Sequence, residues 1–387
     1  MMERWELPEG WEWKRLKTLV NVNYGKGLSE RQRLGGHVPV YGANGVVGFH
    51  NVPITKGQTI VIGRKGSAGA INWSEIACWP IDTTFFIDEF SEIIYPKFLY
   101  YFLRSQQVDR LQQSAAIPGL NRNILYSVEV PIPYPDDPAR SLAEQRRIVA
   151  RLELLLGETR AMREDIQAMR RDLAQVMESV LAEVFPNPNE EMPEGWDVQE
   201  VRTISEPPQY GYTQSATTEN TGTKFLRITD IQNGNVEWDE VPYCQIDDNN
   251  FDKYALFDGD IVFARSGATT GKTFLLKNPP RAVFASYLIR LRIRGIFPDF
   301  VYWFFQSSHY WNQVRLRGGA QPNMNANLLS QILVPIPKSL SEQRRIVAYL
   351  EHIAEEIRAM DDLLAQDLRD IEVLEQSILA AAFRGEV

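Results

Sequence analysis

The chain has 387 residues, 44% hydrophobic and 24% charged, with a formal net charge of −9. That length suits two domains of ordinary size with real cores. It contains no apolar run of about 18 residues, so no transmembrane helix is expected. Met1 to Trp13 is charged and lacks an apolar stretch, which excludes a signal segment from the reading. Two cysteines, Cys78 and Cys244, fall one in each half, and there are four histidines. A disulfide framework and a zinc cluster are therefore not expected, and a reducing cytoplasm is. The acidic balance at first argues against nucleic acid. The long helical segments described below carry most of it, with 7 basic against 10 acidic residues in 141–191 and 6 against 11 in 338–387. Residues 1–140 hold 15 basic and 14 acidic residues, and 192–337 hold 13 and 15, so either could present a basic face.

In chain order, Leu7-Pro8-Glu9-Gly10-Trp11 opens the first half. A glycine-rich stretch follows from Tyr41 to Gly48, including Asn44. Apolar runs at Thr59 to Ile62 and Thr84 to Ile87 predict strands, and Pro96 to Arg104 a short helix. Arg64, Lys65 and Ser67 lie in a loop after the first of these strands. Asn121, Arg122 and Asn123 precede Val130-Pro-Ile-Pro133. Then comes Ser141-Leu-Ala-Glu-Gln-Arg-Arg-Ile-Val-Ala150, which opens a helical pattern running to Pro186.

The second half repeats these landmarks at offsets of 185 to 204 residues. Met192-Pro-Glu-Gly-Trp196 matches the opening. Strands are predicted at Asp260 to Ala264 and Tyr287 to Ile293, with a short helix at Pro298 to Ser307. Arg227, Arg265, Ser266, Thr269, Thr270 and Lys272 are the polar candidates of its loops, joined by Asn323 and Asn325. Val334-Pro-Ile-Pro337 then precedes Ser339-Leu-Ser-Glu-Gln-Arg-Arg-Ile-Val-Ala348. Landmarks are shared while the residues between them differ, as expected of one scaffold used twice with two specificities.

Each helical segment carries a heptad stripe. The first runs Ile148, Leu152, Leu155, Met162, Ile166, Met169, Leu173, with Thr159 as its polar member. The second runs Ile346, Leu350, Ile353, Ile357, Met360, Leu364, Ile371, with Asp367 as the interruption. Ser141 with Glu144, and Ser339 with Glu342, read as capping boxes. A helix over 141–185 would be about 65 Å long. Such stripes bury themselves either against their own domains or against each other. Their equal lengths favour an antiparallel coiled coil. Glu144, Gln145, Arg146 and Arg147, repeated as Glu342, Gln343, Arg344 and Arg345, read as a duplicated docking site for two copies of a partner. The bland alternative is a solvated first turn. The fold expected is α+β: mixed α/β domains over 1–140 and 186–337 (linker 186–191), each followed by a helix over 141–185 and 338–387.

Glycine loops allow backbone amides to approach phosphates, and Arg, Lys, Ser and Thr add donors. Asparagine and arginine are the types that pair with adenine and guanine in the major groove. Tyr41 and Asn44 are candidates on the same ground. Two motifs are decoys. Gly267 to Thr273 approximates a phosphate-binding loop, but Ser266 stands where its first glycine belongs. Asn278-Pro-Pro-Arg281 has arginine where an amino-methyltransferase would place an aromatic. No paired carboxylates, metal set or nucleophile–base pair repeats between the halves, so no catalytic centre is expected.

The twin Glu-Gln-Arg-Arg-Ile-Val-Ala helices, the Pro-Glu-Gly-Trp openings, the Val-Pro-Ile-Pro stretches, Tyr41-Gly-Ala-Asn-Gly45, Gly259 to Gly267 and the ending Ala382-Phe-Arg-Gly-Glu386 together resemble the specificity subunit of type I restriction-modification enzymes. The resemblance covers nearly the whole chain. It implies two target-recognition domains on double-stranded DNA and a coiled-coil ruler between the half-sites. It also implies two modification (methyltransferase) subunits carrying S-adenosylmethionine, and restriction subunits using ATP and Mg. No cofactor is then expected on this chain, and no membrane partner. The runner-up is an adaptor with two ligand-binding domains on a coiled coil. A nucleotide hydrolase using Lys272 ranks below it.

Overall fold

The computed structural model describes residues 5–106, 120–232, 234–265, 270–317 and 324–386. The chain divides into two compact units, Met1–Gln167 with Ala365–Val387, and Ala168–Leu364. The two long helices, Pro138–Val184 and Leu340–Arg384, each contribute to both units. The helical segments are therefore parts of the units' cores rather than separate domains.

In the first unit an antiparallel sheet has the order Asn23–Tyr24, Thr84–Ile87, Thr59–Gly63, Ile71–Ser74. Thr59–Gly63 is buried throughout, as a β-branched run of this kind should be in a covered strand. Helix Pro96–Ser105 buries Phe98, Leu99, Phe102 and Leu103. Strand Trp11–Arg15 pairs antiparallel with Glu129–Pro133, closing the domain beside the first long helix. Ile148, Val149, Leu152 and Leu156 of that helix enter the core, as do Leu379, Ala382 and Phe383 of the second. The Phe383 ring meets Phe98 and Phe102 edge-on at 5.1 and 5.2 Å.

The second unit repeats this plan. Its sheet has the order Gln209–Tyr210, Leu288–Arg292, Asp260–Ala264, Thr273–Leu275. Trp196–Glu200 pairs with Leu333–Pro337. Ile346, Val347 and Leu350 enter its core, with Leu181 and Phe185 from the end of the first long helix. Phe185 packs 5.2 Å from Phe300 and 5.6 Å from Phe304. Phe185 and Phe383 occupy the same position of the duplicated helix.

The start of one long helix and the end of the other thus share each core, which makes the helices antiparallel. Arg163 with Glu375 (3.1 Å) in the first unit and Arg170 with Asp361 (2.6 Å) in the second follow the same direction. The stripe divides its work. Ile148, Leu152, Ile346 and Leu350 pack into their own domains, which is the bland reading. Leu173 and Ile371 are buried farther along, and Leu155, Ile166, Ile353, Ile357 and Leu364 are half-buried.

The predicted capping boxes do not form. The first helix starts a turn earlier, at Pro138, where Asp137 Oδ1 accepts from the Arg140 amide at 3.1 Å. Proline at the first helical position has no amide to satisfy. Ser141 is inside the helix and fully buried. Ser339 bonds to the Ser341 hydroxyl at 2.7 Å. Glu144 and Glu342 instead bind Arg147 and Arg345, three residues on.

Between the shared strands the units differ. The first carries Gly45–His50, Val38–Gly42 and Trp79–Pro80 as a three-stranded sheet. The second keeps the parallel pairing that Val38–Gly42 makes with Trp79–Pro80, as Lys224–Leu226 with Ala282–Phe284, but carries a small hairpin and helix Asp248–Tyr254 in place of strand Gly45–His50.

Candidate nucleic-acid interface

Within each unit, one tyrosine and one arginine meet at the end of the shared sheet. Tyr24 lies on the edge strand, half-exposed, paired with Phe85. The next residue must be glycine, because a Cβ on Gly25 would collide with the Ile81 carbonyl. Arg64 leaves the central strand and lies over the Tyr24 ring at 5.4 Å, its Nη2 donating to the Asp82 carbonyl at 2.7 Å. Arg122 covers the same ring at 5.1 Å. Tyr24 is therefore flanked by two guanidiniums, each a cation–π contact worth about 0.5–1 kcal/mol at such exposure. Lys65 and Ser67 are exposed in the adjoining turn, where Gly66 and Gly69 take φ of +74° and +89°. None of Lys26, Arg31, Arg33, Arg64, Lys65 and Arg122 forms an ion pair with a described carboxylate.

The second unit gives the same geometry. Tyr210 pairs with Ile289, and Gly211 is confined by the Ala285 carbonyl. Arg265 lies over Tyr210 at 4.9 Å. The amides of Arg64 and Arg265 donate to Thr83 and Tyr287, at 2.8 and 3.0 Å. Their carbonyls accept from Leu120 and Met324, at 2.9 and 3.0 Å. Backbone bonding thus makes Arg64 and Arg265 equivalent, although only the second is followed by Ser-Gly. The sequence reading missed Tyr24 and Tyr210. The available signal was Tyr-Gly standing 13 residues after Trp11 and 14 after Trp196.

The remaining candidates have the following surroundings. Tyr41 is a buried strut, its hydroxyl donating to the Trp73 carbonyl at 3.0 Å, and burial raises its pKa. The Arg227 guanidinium is held by Asp230, with Nη2 at 2.6 Å from Oδ1. Asn121 and Asn325 repeat because each caps a short helix, accepting from the Asn123 and Leu328 amides at 2.9 Å. Thr270 is buried. Asn44, Asn123 and Lys272 are exposed. Ser266, Thr269 and Asn323 lie outside the described residues. Lys272 is followed by strand Thr273–Leu275 where a phosphate-binding loop needs a helix, and Arg281 lies 3.5 Å over the Phe251 ring.

The duplicated Glu-Gln-Arg-Arg phrase is also reassigned in part. Gln145 and Gln343 are buried and cannot face a partner. Gln145 Oε1 accepts from the Tyr95 amide at 2.8 Å and its Nε2 donates to the Ile93 carbonyl at 2.7 Å. Gln343 accepts from the Phe297 amide and donates to the Pro337 carbonyl, both at 2.9 Å. Arg146 and Arg344 lie over the Tyr95 and Phe297 rings at 5.7 and 5.8 Å. Much of the repetition therefore serves to seat each long helix on its short helix.

Two copies of one α+β scaffold, each presenting an Arg–Tyr pair beside an unlike insert, define a duplicated recognition protein. The family model for the type I restriction modification DNA specificity domain matches residues 8–168 and 193–366, and the chain belongs to that family. It is 23% identical over 320 residues to the type I restriction enzyme EcoKI specificity subunit of Escherichia coli K12, covering 76% of this chain and 66% of that one. The fold matches a chain from a structure on complex assembly and conformational transition of the type I R-M system, with TM-score 0.78 and 21% identity over 99% of this chain and 100% of the other. It also matches the HsdS subunit from Thermoanaerobacter tengcongensis, with TM-score 0.61 and 22% identity, covering both chains fully.

Proposed function

We propose that the chain is the DNA-reading, non-catalytic subunit of a type I restriction-modification enzyme. Each unit reads one part of a bipartite double-stranded target. The observation that carries this reading is the equivalence of Tyr24–Arg64 and Tyr210–Arg265 on one scaffold whose inserts differ. The shared pairs grip the backbone, and the unlike inserts give unlike half-sites.

Two modification subunits complete the enzyme and supply S-adenosylmethionine, and restriction subunits supply ATP and Mg, all in the cytoplasm. Exposed apolar residues on the long helices, Met162 and Leu374 in the first unit and Met169, Met360 and Leu363 in the second, offer the modification subunits a surface. Among the described residues no helix is long and apolar enough to cross a membrane. An acidic chain whose DNA face is basic only locally needs such partners to close around the duplex.

The test is modification-sensitive sequencing of DNA from cells co-expressing this chain with its neighbouring methyltransferase. A methylated bipartite motif that vanishes without this chain is the expected result. No new methylation from soluble, co-purifying proteins would overturn the reading in favour of an adaptor.

A further inference from the structure

The first unit holds an exposed apolar surface that its core does not explain. Strand Gly45–His50 is the edge of its sheet, paired only with Val38–Gly42. Val46, Val47 and Phe49 of this strand are each about half exposed, at 50, 44 and 50%. Leu34 and Val52 on the flanking segments are more so. Soluble proteins seldom cluster large apolar side chains in this way without a use.

Three observations identify the occupant. First, the hairpin tip is seated against the arginine site. The Ala43 carbonyl accepts from Asn72 Nδ2 at 3.3 Å and lies 3.1 Å from where a Gly63 Cβ would stand, immediately before Arg64. Asn44 is exposed at that tip. Second, the surroundings are basic. Residues 25–58 hold Lys26, Arg31 and Arg33 against the acid Glu30, while Lys56 is paired with Glu89. The corresponding span of the second unit, 211–259, holds three basic and nine acidic residues, and its one large exposed apolar side chain among the described residues is Phe257. Third, strand addition is hindered at the edge, because Arg33 Nη1 already binds the Val47 carbonyl at 2.7 Å. A second protein strand is disfavoured there, whereas an anionic partner is favoured.

We infer that the edge strand Gly45–His50 lies along the major groove of the first half-site and that Val46, Val47 and Phe49 contact thymine methyl groups. The major groove is wide enough to admit β-strand side chains, and the C5 methyl of thymine is its one apolar feature. The inference rests on the DNA-reading function above and adds the recognised group. It assigns apolar readout to the first unit and polar readout to the second.

The test uses the assembled methyltransferase complex and duplexes carrying the methylated motif. Each thymine of a half-site is replaced in turn by deoxyuridine, which removes only the methyl. At least one replacement in the half-site read by the first unit weakens wild-type binding threefold or more. The V46S/V47S/F49S variant, altered only at exposed positions, loses that sensitivity and binds the normal half-site at least tenfold more weakly. Discrimination at the other half-site is unchanged. Wild-type indifference to every replacement, or a variant that binds DNA normally, overturns the inference while leaving the reading function standing. A variant that binds DNA normally but loses the modification subunit also overturns it, by making the patch a protein interface. Absence of any selective binding by the wild-type complex instead refutes the function itself.

Discussion

Replacing Gln145 by alanine tests what the repeated phrase does. The side chain satisfies the Tyr95 amide and the Ile93 carbonyl and also donates to Ser141 Oγ at 2.9 Å. Tyr95 immediately precedes Pro96, the first residue of its helix, and proline has no amide to offer. The Tyr95 N–H is therefore the donor at that helix start that most needs a partner. Ser141 Oγ reaches Ile93 O at 3.4 Å and can retain part of one bond. An orphaned buried backbone group costs about 1–3 kcal/mol, and the loss here amounts to about 3 kcal/mol. For a unit of this size a destabilisation of that order lowers Tm by about 6–12 °C. Arg147→Ala, by contrast, breaks an exposed ion pair with Glu144 and costs under about 1 kcal/mol. Thermal unfolding followed by intrinsic fluorescence, alongside co-purification with the modification subunit, separates the roles. A Gln145→Ala chain that melts like wild type but no longer binds its partner would refute the structural assignment and restore the docking one.

Four further outcomes follow from the same fold. Lys65→Ala removes one phosphate-reaching charge and should reduce the slope of log affinity against log salt by about 0.9, measured on an intact target. Arg265→Ala should weaken protection of one half-site in a footprint and Arg122→Ala that of the other, with the recognised sequences retained; equal losses at both from either variant would refute the assignment of one unit to each half-site. Deleting one heptad from each long helix shortens the pair by about 10 Å, so the preferred spacer should contract by about three base pairs with half-site sequences retained. Glu351 is pushed above the usual carboxylate range by burial first and by Asp299 second. A carboxylate raised in the folded state makes folding more favourable at low pH, and that advantage is lost as pH rises through the ordinary and then the raised value. Glu351→Gln should therefore raise the Tm of the second unit at neutral pH, with the difference closing under acid conditions; a constant difference would refute the cause.

That environment shows how one scaffold tolerates two sequences. In the first unit Lys97 bridges Glu75 and Glu153, at 3.0 and 2.8 Å. In the second, Asp299 takes the place of Lys97 and the cation is supplied by Lys277. Glu351 repeats Glu153, so the lysine has changed sides between the copies. The compensating lysine comes from a segment distant in the chain, just after strand Thr273–Leu275, so the exchange shows only in the fold.

The duplication, the α+β class and the two long helices were legible in the sequence because each is periodic or punctuated locally. Heptad spacing, Pro-Glu-Gly-Trp openings and glycine turns act over a few residues and leave a local trace. Contacts between distant segments leave none. Tyr24 and Tyr210 are ordinary residues until the fold brings Arg64 and Arg265 over them. Gln145 and Gln343 read as surface because their neighbours are charged, yet a helix turns one of every four such residues inward. Asn121 and Asn325 each cap a short helix through Oδ1, a role the sequence did not show, since asparagine serves both capping and base contact and only the local backbone reveals the cap. Phe185 and Phe383 show most directly what tertiary structure decided. Each ends a helix begun in one half and fills the core of the unit built on the other, because an antiparallel pair carries its ends across and buried aromatic area there outweighs an exposed terminus.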